Sequence, residues 1–252
     1  MTVQRDELAQ YLNTLLRPED FSDYAPNGLQ IEGVSTISHL VTGVSANRAL
    51  IDQAITLGAD ALLVHHGFFW KGDPLTITGY RGDRIQRMIR AKQSLFGYHL
   101  PLDAHETYGN NAEILRILGA KPAGTFGGGT PPLGRWGRFD EPRDRDSVLA
   151  ELAEALGQDP IAFSYGPERI RTVGVVTGGG ARFFEDALDA DIDLFISGEP
   201  SEQSQGIAVE CHGNFAAFGH HATERVGVRA LGEHLAERFG IRTTFVDVPN
   251  VV

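Results

Sequence analysis

The chain has 252 residues, 42% apolar and 22% charged, which is enough for one large domain or two small ones and argues against a disordered polypeptide. Lys and Arg number 22 against 33 Asp and Glu, and the net charge of −11 disfavours nucleic acid as a partner, because phosphates require a positive surface. Cys211 is the single cysteine, so no intrachain disulfide forms, and the polar N-terminus with no long apolar run predicts a cytoplasmic protein without a membrane partner.

Residues 2–17 read as an amphipathic helix with Thr2 as N-cap, an inner face of Leu8, Tyr11, Leu12, Leu15 and Leu16, and Pro18 as its stop. Asn27-Gly28 marks a tight turn into a strand. A strand over 39–45, a helix over 47–57 ended by Gly58, and a strand over 61–64 form a βαβ unit and imply parallel pairing. A helix over 82–93 turns Ile85, Met88 and Ile89 inward, and a strand over 94–99 follows. The next helix spans 110–118, with Asn110 or Asn111 near its start.

Residues 120–146 are rich in Gly, Pro and charge and are the best candidate for a domain boundary. Beyond them a helix over 147–156 precedes a second strand–helix–strand unit at 171–177, 181–188 and 193–197. A strand over 215–219, a long helix over 223–239 and a strand over 242–248 complete the pattern. The division is placed at 1–126 plus 221–252 for the first α/β domain and 127–220 for the second.

Three windows after strand-like runs carry metal-ligand chemistry. The first is His65-His66, which by itself is an even choice between packing and ligation. The second runs from His99 to His105 and includes Asp103, which shares a face with His105 if the segment is extended; the bland reading has Asp103 capping a turn and His105 solvated. The third is His220 with Glu224, four apart and so on one face of a helical turn, where the alternative is a capped helix start with Glu224 in its first turn. Three such windows together at the carboxyl ends of strands point to a metal site, and five or more donors suit two ions better than one tetrahedral ion. Imidazoles mixed with carboxylates fit Fe, Mn or Zn.

Gly178-Gly179-Gly180 opens a further junction between strand and helix, where backbone N–H groups can cradle an anion or substrate; a tight turn for close packing is at least as good a reading. Glu199 follows the 193–197 strand as a general acid or base, or as a partner that orients a ligand, against the alternative of a solvated turn residue.

These motifs give the chain a family resemblance. The stretches Asp23 to Gln30, Gly58 to Gly67, Phe69 to Gly72, His99 to His105, Gly109 to Ala112, Thr177 to Gly180, Ser197 to Glu199 and Gly219 to Glu224 resemble, in order, the dinuclear-metal-centre proteins known as GTP cyclohydrolase I type 2 homologs. The resemblance implies two α/β domains, with mixed or parallel sheets flanked by helices, assembled as a toroidal homohexamer. It implies His65, His66, Asp103, His220 and Glu224 as ligands of two divalent ions per subunit, with Glu224 bridging and His99 and His105 nearby.

The function expected is metal-dependent hydrolysis of a nucleotide or its purine ring, in which paired ions lower the pKa of water from ~15.7 toward ~7. His99, His105 and Glu199 are the candidates to carry the proton. The alternatives are a metal-binding ring that acts as scaffold or regulator without catalysis, and phosphoester hydrolysis, which also uses paired ions.

Overall fold

Runs of buried aliphatic residues build two separate sheets. The computed structural model describes residues 1–252. The chain divides into a first unit of Met1–Leu102 with Val228–Val248 and a second of Asp103–Gly227 with Pro249–Val252.

In the first unit His39–Ser45, Ala61–His66 and Ser94–Gly97 pair in parallel, Arg242–Phe245 joins in parallel beside His39–Ser45, and Gly28–Ile31 closes the other edge antiparallel. The central strands are buried on both faces, as expected where helices cover a parallel sheet. The connecting helix Arg48–Thr56 starts where the Asn47 side chain accepts the N–H of Leu50 at 2.9 Å. It packs Leu50 and Ile51 on Leu62, Val64 and Leu95.

In the second unit Arg169–Val176, Leu194–Ser197 and Asn214–Ala217 form a parallel centre, flanked antiparallel by Gly134–Asp144 and Lys121–Phe126 on one side and by Ile161–Ser164 on the other. One face of this sheet carries an aromatic core in which Phe195 lies 5.6 Å from Phe215 and 5.7 Å from Phe184.

Several expectations change. The Gly- and Pro-rich 120–146 segment, read as a domain boundary, lies inside the second unit: it supplies the strands Lys121–Phe126 and Gly134–Asp144, whose ladder reaches Arg169–Val176. Contacts accordingly divide the chain near 102 and 227, where the sequence reading placed 126 and 220. Thr2 is not a cap, because Val3–Gln4 pairs with Thr36–Ile37 and the helix begins at Arg5. Ile89 is 57% exposed; Ile85 and Met88 fill the buried stripe of the helix Gly79–Ala91 and Ile89 falls beyond its edge. The 99–105 segment is helical over Leu100–Ala104, not extended.

Candidate metal centre

Three imidazoles gather at the carboxyl end of the first sheet. His65 and His66 are the last residues of their strand, and His99 lies two residues past Gly97, the end of the next. Strand alternation sends neighbouring side chains to opposite faces. Here the His65 and His66 ring centroids are nevertheless 4.6 Å apart, and His99 is 5.0 Å from the first and 5.7 Å from the second. Their ligand atoms all lie within 4.8 Å of one another.

Each ring has its Nδ1 engaged by an oxygen. His65 Nδ1 meets the Tyr98 carbonyl at 3.0 Å, His66 Nδ1 meets Ser45 Oγ at 2.9 Å, and His99 Nδ1 meets Asp23 Oδ1 at 2.9 Å. A carbonyl or a carboxylate only accepts, so Nδ1 carries the proton in His65 and His99 and Nε2 is the nitrogen available to a cation.

Asp23 is held firmly in this orienting position. Its side chain is 3% exposed and also accepts from the N–H of Leu100 at 3.0 Å, the N–H of Ala25 at 3.2 Å and Asn27 Nδ2 at 3.0 Å. Burial opposes its ionisation, but the hydrogen bond and charge of His99, with Asn27 and Ala25, outweigh that and hold it down at about 2. Gln30 secures the other side of the turn: its Oε1 accepts the N–H of Phe68 at 2.9 Å and its Nε2 donates to the Pro26 carbonyl at 2.8 Å. A Cβ on Gly67 would overlap that amide and displace it from these two hydrogen bonds.

The second unit repeats the logic with carboxylates. His220 opens the helix His220–Phe239 just past the Asn214–Ala217 strand, and Glu224 follows one turn later. His220 Nδ1 donates to Glu199 Oε1 at 2.5 Å, and Nε2 lies 3.1 Å from Glu224 Oε1. Burial works against the imidazolium, but Glu224 and then Glu199 outweigh it and raise the His220 pKa to about 9. Glu224 is 2% exposed. Asp103, also buried, accepts from Asn110 Nδ2 at 2.8 Å and Thr177 Oγ at 3.2 Å on its Oδ1.

Gly178 has φ +60°, and a Cβ there would collide with Glu224 Oε1 and stand 3.0 Å from His220 Nε2. Its N–H donates to Thr223 Oγ at 3.2 Å, and its carbonyl accepts the N–H groups of Gly198 and Glu199, each at 3.0 Å. Gly178 therefore makes room for the His220–Glu224 pair, whereas a Cβ on Gly180 would meet Val176 and Ser197 and one on Gly179 nothing. Gly180 begins a short 3-10 turn, Gly180–Phe183.

Of the residues singled out from sequence, His65, His66 and His99 come together, as do Glu199, His220 and Glu224. His105 serves its own turn instead. Its Nδ1 accepts the N–H of Thr107 at 3.2 Å and of Tyr108 at 3.0 Å, and its ring stacks on Tyr108. Sequence reasoning about single residues missed Asp23, Gln30, Asn110 and Thr177 as supports; the Asp23 to Gln30 motif was the signal for the first two. The three imidazoles of the first unit, and in the second His220 Nε2 beside the buried Glu224 carboxylate with Gly178 clearing the space, each offer donors that fit a borderline divalent cation such as Fe(II), Mn(II) or Zn.

Known proteins resemble this chain along nearly its whole length. Residues 3–250 match the family model described as Duf34/NIF3 (NGG1p interacting factor 3). The chain belongs to the DUF34/NIF3 family. It is 43% identical over 249 residues to the GTP cyclohydrolase 1 type 2 homolog of Escherichia coli (strain K12), covering 98% of this chain and 99% of that one. Two solved NIF3-like structures superpose closely. Protein ybgI, of unknown function, has a TM-score of 0.94 at 43% identity, covering 99% of this chain and 100% of that one. TTHA1606 from Thermus thermophilus has a TM-score of 0.90 at 34% identity, with the same coverage. The NIF3 match establishes the resemblance drawn from the motifs, and no helix of this member is long and apolar enough to cross a membrane.

Proposed function

We propose that this NIF3 protein is a divalent-metal-dependent hydrolase acting on a nucleotide or its purine ring. The observation that carries the reading is the imidazole group His65, His66 and His99, each ring held at Nδ1 by an oxygen and the three offering ligand atoms within 4.8 Å of one another. The name GTP cyclohydrolase 1 type 2 homolog, borne by a 43% identical relative, supports the substrate class.

The proposed ligands are His65, His66, Asp103, His220 and Glu224, for two divalent ions per subunit, since five donors exceed the four of a tetrahedral ion. When bound, such ions supply Lewis acidity, polarising the bond to be cleaved and acidifying water. The protein's own contribution is orientation and proton transfer. Asp23 keeps the Nδ1 proton on His99, so His99 Nε2 is the base that receives the proton of the attacking water. Glu199 holds the Nδ1 proton of His220 and fixes that ring's direction. The exposed backbone of Gly179 is the proposed anion contact beside them. We also propose a homohexamer, in keeping with the family resemblance.

The test is turnover of GTP and of a phosphoester panel by metal-reconstituted protein, with products resolved by mass spectrometry, alongside metal analysis and sedimentation. Hydrolysis lost in His65→Ala and in His99→Ala, with metal retained only in the latter, supports the assignment. Two metals per chain with no turnover of any substrate would leave a scaffold instead.

A further inference from the structure

We propose that the cleft beside His66 and His99 is a subsite for a planar heteroaromatic ring bearing a phosphate chain, with Trp70 against the ring and Arg84, assisted by Arg81, on the phosphates. The proposal rests on the reading of the neighbouring histidines as the reaction centre and names what that centre is offered.

The chain leaves the histidine strand through residues 67–78 before the helix Gly79–Ala91 begins. Two connected lobes open along this path. One, of about 110 Å³, is lined by Gly67, Trp70, Tyr80, Arg81 and Arg84. The other, of about 190 Å³, is lined by Phe69, Trp70, Pro74, Leu75 and Ile77. Trp70, Asp73, Arg81 and Ile85 line both, and Arg84 lines the first lobe only. The Trp70 ring lies 5.7 Å from His66 and edge-on to His99 at 5.2 Å, so the indole is the side chain that joins the lobes to the imidazole group.

The lobes differ in chemistry. The first carries two guanidinium groups three residues apart on one helix face. Arg84 lies 5.0 Å over the Tyr80 ring, and Arg81 is anchored to Asp73 at 3.1 Å and to the Pro74 carbonyl at 3.2 Å. Two cations against one carboxylate leave a local positive excess in a chain whose net charge is −11. Planar guanidinium forks match phosphate oxygens in pairs, and both are already held in place, which reduces the ordering cost on binding.

The second lobe is mainly apolar, with Asp73, Thr76 and Arg81 also in its wall. Leu75 is 100% exposed and Ile77 55%, and Tyr80, which lines the first lobe, is 70% exposed. A flat ring between Trp70 and these side chains would cover them, while its phosphate tail reaches Arg84. An apolar slot joined to an arginine pocket selects a ligand with both features over either alone.

Tryptophan fluorescence tests this directly. The chain holds two tryptophans, so a Trp136→Phe background makes Trp70 the sole reporter. Titration with GTP, ATP, CTP, UTP, guanosine and inorganic triphosphate is expected to show saturable quenching by at least one nucleotide, with guanosine and triphosphate each at least 10-fold weaker than GTP. Arg84→Ala is expected to raise the GTP Kd about 10-fold and leave guanosine unchanged, with Arg84→Lys between. Unchanged GTP affinity in Arg84→Ala, or no saturable quenching by any nucleotide, overturns the subsite. The same titration on His66→Ala separates the two readings. Retained quenching in a protein whose wild type hydrolyses nothing keeps the subsite and removes the hydrolase; hydrolysis without quenching does the reverse.

Discussion

Gly178 makes room for Glu224: a Cβ at position 178 would occupy the space of Glu224 Oε1, and the φ of +60° is one that residues with side chains rarely adopt. Gly178→Ala is therefore expected to displace the carboxylate and weaken metal binding through the His220–Glu224 pair, at a stability cost of about 1–3 kcal/mol. Gly179→Ala is the control. Its Cβ would meet nothing within 4 Å, so stability should move by less than about 0.5 kcal/mol and metal content should not change. Metal analysis with thermal unfolding of both variants distinguishes a local clash from general loop sensitivity.

Removing the oxygen that holds His220 tests the orienting role of Glu199. With Glu199→Ala the Nδ1 partner at 2.5 Å is gone and the ring is free to rotate or to change tautomer. Metal affinity should fall about 10–100-fold, as it does when the outer partner of a ligating histidine is lost. Calorimetric titration with Mn(II) or Zn reads this, and an unchanged affinity would reduce Glu199 to a solvated turn residue.

The pH dependence of folding has a contributor remote from the metal residues. Asp60 is partly buried, which opposes ionisation, but its Oδ2 accepts from Ser38 Oγ at 2.7 Å, the Ser38 N–H at 2.7 Å and the His39 N–H at 3.0 Å, and its pKa is lowered as a result. A depressed folded pKa stabilises above the unfolded value of about 3.9 and loses that contribution as pH falls through the folded value. Wild-type unfolding free energy should decline below about pH 4 more steeply than that of Asp60→Asn. The variant itself should lose about 1–3 kcal/mol at neutral pH. Urea denaturation at acidic and neutral pH gives both slopes.

The aromatic core of the second unit should be intolerant of truncation. Phe195 is fully buried and meets Phe126, Phe184 and Phe215 with ring centroids 5.6–6.1 Å away. Phe195→Ala should cost about 3–5 kcal/mol, because the surrounding rings only partly collapse into the space left. Chemical denaturation measures it, and a loss below about 1 kcal/mol would mean the core repacks.

The parallel strands were legible because strands buried on both faces read as runs of aliphatic residues: Leu62 to Val64 and Leu194 to Ile196 announce themselves. Ile161–Ser164 was not legible, since most of its residues are exposed and it exists as a strand through its ladder with Asn214–Ala217. The same holds for Lys121–Phe126, where five of six residues are exposed and the register comes from Gly134–Asp144. Local composition pointed to a domain boundary, and distant pairing partners decided otherwise.

By itself the sequence determined which donors the chain carries and that they cluster at or soon after the carboxyl ends of strands. It also determined the His220–Glu224 geometry, because four residues along a helix return to the same face. The tertiary structure alone decided how the remaining rings are aimed. Asp23 reaches His99 across 76 residues, Ser45 reaches His66 across 21, and Glu199 reaches His220 across 21. A ring's tautomer and direction depend on which oxygen meets its Nδ1, and that is a property of packing between strands, which no periodicity within one strand encodes.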